Sequence, residues 1–460
     1  MEVFLPKMTL SKHSASGNSI KSSFITGTLL LTFAGVLTRI IGFFYRIFLS
    51  RVIGAEGLGI YQLTSPVMSL GFAITAAGIQ TSISRFVSTE IGKKNPHGAK
   101  RYLFTGLTIS LLLSAVFSLL LWKNANFIAG AWLGDARCAP LLSVLSLSFV
   151  PSCIHACING YYYGLKKTGI PALTQLAEQL ARVGTVYVLY AIHMREQTAV
   201  PLSITMWGMV LGEVASTLVS LSCTKLPSGS GNRILSWSSC AKNLMYMATP
   251  LTANRVVLNL FSSYENIMIP NRLKLFGYET AEALGVYGIL TGMSMSVIMF
   301  PSVITNSVSV LLLPTISEAK AVGDERLIRR TLKKTIESCL ILGFLATFAF
   351  LITGDFLGNF LFGNALAGTF ITTLGWICPF LYLGSTLSSI LHGLGFPGLT
   401  FFLNLLSCGI RILFVLFAVP VYGIKSYLWG ILISQAVMSV LAIVLLLRMT
   451  AQFPKSSRRE

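Results

Sequence analysis

Residues 24–53 read FITGTLLLTFAGVLTRIIGFFYRIFLSRVI, an apolar run longer than the roughly 20 residues that cross a hydrocarbon core as helix. Arg39 stands near its middle. An arginine at that depth costs roughly 2.5–3.5 kcal/mol on insertion scales, so it faces a polar interior and is by default a functional-site candidate. Arg46 follows two helical turns later on the same face, and Thr32, Gly35 and Gly42 complete a small or polar stripe at helical spacing. A helix with this stripe turns its polar face inward, towards a cavity suited to an anion.

The rest of the chain continues the pattern. Of 460 residues, 53% are apolar and only 11% charged, and the mean hydropathy is +0.73, which excludes an ordinary water-soluble domain. The sequence predicts an all-α polytopic membrane protein with about 12 transmembrane helices, near 24–53, 59–83, 102–122, 139–163, 169–192, 201–223, 243–270, 284–313, 335–354, 367–391, 397–420 and 424–447. Helices are preferred to a barrel because these runs are continuously apolar instead of alternating. The formal net charge of +19 reflects topology. Of the 35 Lys and Arg, 23 fall at the amino terminus, in alternate loops and in the carboxyl tail, against 7 in the opposite loops. The positive-inside rule then places both termini in the cytoplasm of a cytoplasmic (plasma) membrane protein, and no nucleic-acid partner is expected. The first span reads as an uncleaved anchor. The eight cysteines show no CxxC or Cys/His cluster, so neither a disulfide framework nor a metal site is expected.

The chain is written twice. Leu58-Gly-Ile-Tyr61 recurs as Leu284-Gly-Val-Tyr287, Gly164-Leu165 with Arg182 recurs as Gly393-Leu394 with Arg411, and Trp207-Gly208 recurs as Trp429-Gly430. The offsets are 226, 229 and 222 residues, one register for two six-helix repeats. Six is even, so the repeats are parallel, an architecture that places substrate in a central cavity between the halves. The expected organisation is a cytoplasmic tail over 1–22, an amino-terminal lobe over 23–223, an inter-lobe linker over 224–240, a carboxyl-terminal lobe over 241–448 and a second tail over 449–460.

Several intramembrane residues could carry chemistry. Arg255 lies in the middle of the seventh span, followed at helical spacing by Asn259, Ser262 and Asn266. Glu178 and Arg182, at i and i+4 in the fifth span, read as a structural ion pair. Glu213 and Glu265 could each bind a coupling cation or proton, or serve as counter-ion to the arginines. The histidines His13, His97, His155, His193 and His392 are scattered without a partner at motif spacing, and no Walker, DxD or HExxH pattern occurs. An enzyme is not expected, and no cofactor. The basic segment after Glu318, with Arg326, Arg329, Arg330, Lys333 and Lys334, is suited to contact with membrane lipids.

Leu37-Thr-Arg-Ile-Ile-Gly-Phe-Phe-Tyr-Arg46 followed by Gly54-Ala-Glu-Gly-Leu-Gly-Ile-Tyr61 resembles the first-helix signature of the polysaccharide-transport and stage V sporulation protein B branch of the MOP flippase superfamily. Gly160-Tyr-Tyr-Tyr-Gly164 leading to Pro171, Glu178 and Arg182 resembles its fourth-to-fifth-helix junction, and Glu265-Asn-Ile-Met-Ile-Pro270-Asn-Arg-Leu273 its seventh helix. The resemblance covers nearly the whole chain. It implies a MATE/MOP-like fold and a flippase that moves an undecaprenyl-diphosphate-linked sugar, either a cell-wall precursor or a polysaccharide unit. It also implies cell-wall or polysaccharide synthesis enzymes as partners. By position Arg39, Arg46 and Arg255 match the arginines that hold the diphosphate in related lipid flippases. Several members of the branch have fourteen helices, so a lipid-tail groove built by two further helices is expected to be absent here.

Physical chemistry agrees with that implication. A diphosphate in a low-dielectric cavity needs fixed cations, and arginine supplies planar, bidentate donors that stay charged. Gln62, Ser65, Asn259 and Asn266 would then hold uncharged sugars. Two other readings are weaker. A cation-coupled multidrug exporter would want acids in the first two spans, which contain none. A membrane glycosyltransferase or polymerase would need catalytic acids in a large outer loop, and the longest, from Trp122 to Arg137, has only Asp135.

Overall fold

The computed structural model describes residues 15–224 and 236–451, so the expected tails and the 224–240 linker lie largely outside the described residues. Every described element is helical, with no strand among the described residues. Large apolar side chains face outward along whole helices, as at Leu112, Val116 and Leu120 on Pro96–Lys123 and at Ile341, Phe348 and Ile352 on Glu325–Phe362. Such stripes fit a lipid solvent, where helices satisfy their own backbone groups.

Ten helical stretches among the described residues are long and apolar enough to cross a membrane. The difference from the expected 12 has identifiable causes. Ala15–Phe72 carries the first expected span and the start of the second in one run, broken at Gly54, whose φ of 69° is one that side chains rarely adopt. Through a wide turn at Ala73–Ala77 this run continues to Gly92, well beyond residue 83. The fifth and seventh expected spans are long helices, Gly169–Arg195 and Trp237–Phe276, whose buried or half-buried charges make them less apolar than the others. The eighth divides into Thr280–Met299 and Ser302–Val322 at Phe300 and Pro301.

The repeat reappears as local structure. A short tight turn at Ser146–Ser148 precedes the helix Phe149–Gly164, and another at Gly375–Ile377 precedes Cys378–Gly393, each 229 residues on. Both helices close on a leucine, Leu165 at φ −76°, ψ −5° and Leu394 at φ −75°, ψ −4°.

One compact unit ends at Ile267 and the other begins at Met268. The opening turns of Trp237–Phe276 therefore pack with the first unit, where Cys240, Leu244 and Ala248 join a core with Ile83, Tyr102 and Tyr161. The second unit is centred on Ile316, Leu332, Leu387, Ile390, Leu403 and Leu446. In the first unit Arg137 also ties two loops, donating to Asp135 and, at 2.6 Å, to Glu56 beside the Gly54 break. Those two carboxylates raise the Arg137 pKa and hold its charge.

Candidate functional site

All seven residues read from the sequence as substrate ligands lie in the unit that ends at Ile267. Arg39 and Arg46 are exposed on the first helix, beside Gly35, where an added Cβ would meet nothing within 4 Å. Arg255 is likewise exposed, and its Nη2 reaches Thr81 Oγ1 at 3.4 Å. One turn along the same helix, Asn259 Nδ2 donates to the Ser69 carbonyl at 3.1 Å. Ser69 lies one turn beyond Ser65, so Asn259 meets the second helix near that expected ligand. Ser65 is exposed and Gln62 and Asn266 are half-buried. No ion pair joins Arg39 or Arg255 to an acid among the described residues. The structure thus lays Arg255 and Asn259 along the second helix and leaves Arg39 open on the first.

The acidic residues are placed differently. Glu265 is buried, at 4% exposure. Glu213 is also buried, and its Oε2 lies 2.6 Å from His155 Nε2. The histidines show no partner at motif spacing in the sequence, and the fold supplies one for His155 by bringing together two residues 58 apart. Glu178 pairs with Arg182 and sits beside them, so that one donor atom each from His155, Glu178 and Glu213 lies within 4.8 Å of the others.

Helix geometry explains the convergence. His155 is nine residues before the end of Phe149–Gly164, Glu178 nine after the start of Gly169–Arg195, and Glu213 ten before the end of Ile204–Cys223. At 1.5 Å per residue all three stand about 14–15 Å from the same ends of their helices. Close approach is provided by Gly208-Met-Val-Leu-Gly212, a small-xxx-small pattern. A Cβ at Gly212 would come within 2.8 Å of the Glu178 carbonyl, and one at Gly208 within 2.9 Å of the Arg182 carbonyl. The neighbouring Glu213 is thereby pressed against the helix that carries Glu178.

The described residues form a bundle of repeated apolar helices with exposed arginines and a buried polar cluster, the architecture of a multi-pass membrane protein, and its fold is the one seen in solved transporters of the MOP superfamily. It matches the inward-facing conformation of a multidrug resistance MATE family transporter of that superfamily with a TM-score of 0.71 at 14% identity, over 92% of this chain and 96% of that one. That likeness concerns the fold alone. The chain belongs to the polysaccharide biosynthesis protein family, whose pattern it matches over residues 24–320. It is 28% identical over 430 residues to stage V sporulation protein B of Bacillus subtilis (strain 168), covering 92% of this chain and 83% of that protein. It is 21% identical over 351 residues to the lipid II flippase MurJ of the same strain, covering 70% of this chain and 63% of that protein.

Proposed function

We propose that the chain is a flippase that carries an undecaprenyl-diphosphate-linked saccharide, a cell-wall precursor or polysaccharide unit, across the cytoplasmic membrane by alternating access. Twelve spans with both termini cytoplasmic belong to this reading, as does work alongside cell-wall or polysaccharide synthesis enzymes. The carrying observation is that Arg39 and Arg255 are exposed within membrane helices and have no acid paired with them among the described residues. Cations kept open at such a cost await an anion, and guanidinium suits a diphosphate because it donates two parallel hydrogen bonds. Gln62, Ser65, Asn259 and Asn266 supply neutral donors and acceptors for the sugar. A relative named as a lipid II flippase and a family named for polysaccharide biosynthesis favour the same substrate class.

The test is binding by the purified protein. Native mass spectrometry should show an undecaprenyl-diphosphate sugar adduct that weakens when Arg39 and Arg255 are both neutralised. Expression in a pump-deficient strain should give no resistance to cationic dyes, since like charges repel in a low-dielectric cavity. Robust dye efflux without lipid-diphosphate binding would reverse the assignment in favour of a multidrug exporter.

A further inference from the structure

We propose that His155, Glu178, Glu213 and Arg182 form a binding site for one proton, taken up at His155 Nδ1, whose loading and release energise transport. The inference rests on the protein being a transporter and not on which substrate it carries.

The first argument is charge. With both carboxylates ionised and the imidazole neutral, Arg182 offsets only one of two negative charges. An unbalanced buried charge is costly, and a single further positive charge removes the imbalance. A second would be opposed by Arg182 itself, so the stoichiometry is one. Tyr45 on the first helix and Tyr61 on the second also lie within electrostatic reach of Arg182.

Geometry gives the second argument. Glu213 accepts a hydrogen bond from His155 Nε2–H at 2.6 Å, which fixes the neutral ring in the tautomer whose free lone pair is on Nδ1. His155 is only 9% exposed, and Nδ1 is a buried atom without a hydrogen-bond partner. Protonation forms one N–H bond there and makes an imidazolium, whose charge Glu213 already faces. A 2.6 Å separation suits a shared hydrogen, whereas a metal ion needs about 2.0–2.6 Å to each donor, so the pair would have to part to admit one.

The second half of the chain supplies the third argument. In the register of the repeat His155 corresponds to Gly384, Glu178 to Ser407, Glu213 to Gln435 and Arg182 to Arg411. The same helices meet there: a Cβ on Gly384 would stand 3.7 Å from Gln435 Oε1, and Arg411 Nη1 donates to Ser407 Oγ at 3.0 Å. Of these four corresponding positions, only the arginine is titratable in the second half. In the first half three such groups are retained where packing does not require them.

The experiment counts protons. Purified protein in weakly buffered detergent solution is stepped from roughly pH 8 to 5, and uptake is read with an indicator dye. Wild type should take up one more proton than His155→Gln or Glu213→Gln, the latter because the imidazolium loses its counter-charge. The double variant His155→Gly, Glu213→Gln copies the second half and guards against misfolding. It too should lack that proton while eluting as a monodisperse peak. Equal uptake by wild type and all folded variants overturns the proposal. So does stoichiometric binding of sodium or zinc ions by wild type that Glu213→Gln abolishes, which would make the cluster a metal site. Binding of the lipid diphosphate, measured on the same samples, separates the two readings. Its absence with proton uptake intact defeats the flippase assignment alone, and its presence with no missing proton defeats the coupling site alone.

Discussion

Asn95 and Asp324, 229 residues apart, do the same work at the start of equivalent helices: Asn95 Oδ1 accepts from the Gly98 amide at 3.0 Å and Asp324 Oδ1 from the Leu327 amide at 2.9 Å. Each satisfies one of the unpaired donors of a helix start, a role worth roughly 0.5–2 kcal/mol. The two caps differ in one respect. Asn95 Nδ2 also donates to buried Glu90 at 2.8 Å. Asn95→Ala should therefore lower the thermal midpoint of the purified protein more than Asp324→Ala does, because it also removes a partner from a buried carboxylate. Equal shifts would mean that Lys93, 3.0 Å away, satisfies Glu90 unaided.

Arg39→Ala and Arg255→Ala should each abolish transport while the protein still accumulates in the membrane near its normal level. Both side chains are exposed, so their loss leaves no cavity in a packed core. Lysine at either position should restore only part of the activity, since it keeps charge but loses the bidentate fork. Quantitative immunoblotting beside a lipid-translocation assay checks both. Normal transport by both alanine variants would remove these residues from the site.

Gly212→Ala should destabilise by roughly 1–3 kcal/mol through overpacking, because the new methyl meets the rigid Glu178 carbonyl. Gly184→Ala, on the opposing helix with nothing within 4 Å, is the control and should be neutral or slightly stabilising. Thermal-shift measurements in detergent would compare the pair. A neutral Gly212→Ala would show that the helices can separate without loss.

Cysteines introduced near each terminus should react with membrane-impermeant reagents only after the cytoplasmic side is opened. Labelling of the carboxyl-terminal cysteine from outside would overturn both the twelve-span topology and the parallel repeat.

Much of the architecture was legible because it depends on signals that act locally. Apolar length marked the helices, and short matches such as Gly164-Leu165 and Gly393-Leu394 announced a repeat that the capping angles then reproduce. The arginine stripe could be read from one helix at a time. His155 could not, since its partner Glu213 lies two helices away and no motif links them. One signal was available. Three titratable residues stood at the same depth in consecutive helices, and neighbouring helices with equal depth can meet. The extent of the second helix was also missed, because polar residues from Ser84 to Gly92 continue it beyond its apolar stretch. Pro301 was visible in the sequence, yet the interruption it makes with Phe300 was read as continuous span.

That interruption has a mechanical meaning. In the register of the second helices, Phe300 and Pro301 correspond to Ile74 and Thr75, which lie inside the wide turn Ala73–Ala77. Both halves thus give up regular backbone bonding at the same level of the same helix, the first by widening a turn and the second by losing a donor to proline. Bending stiffness is lowest where the ladder of hydrogen bonds is incomplete. The helix of the second half also widens at Ile289–Ser294, so each of these long rods flexes at defined interruptions instead of along its whole length.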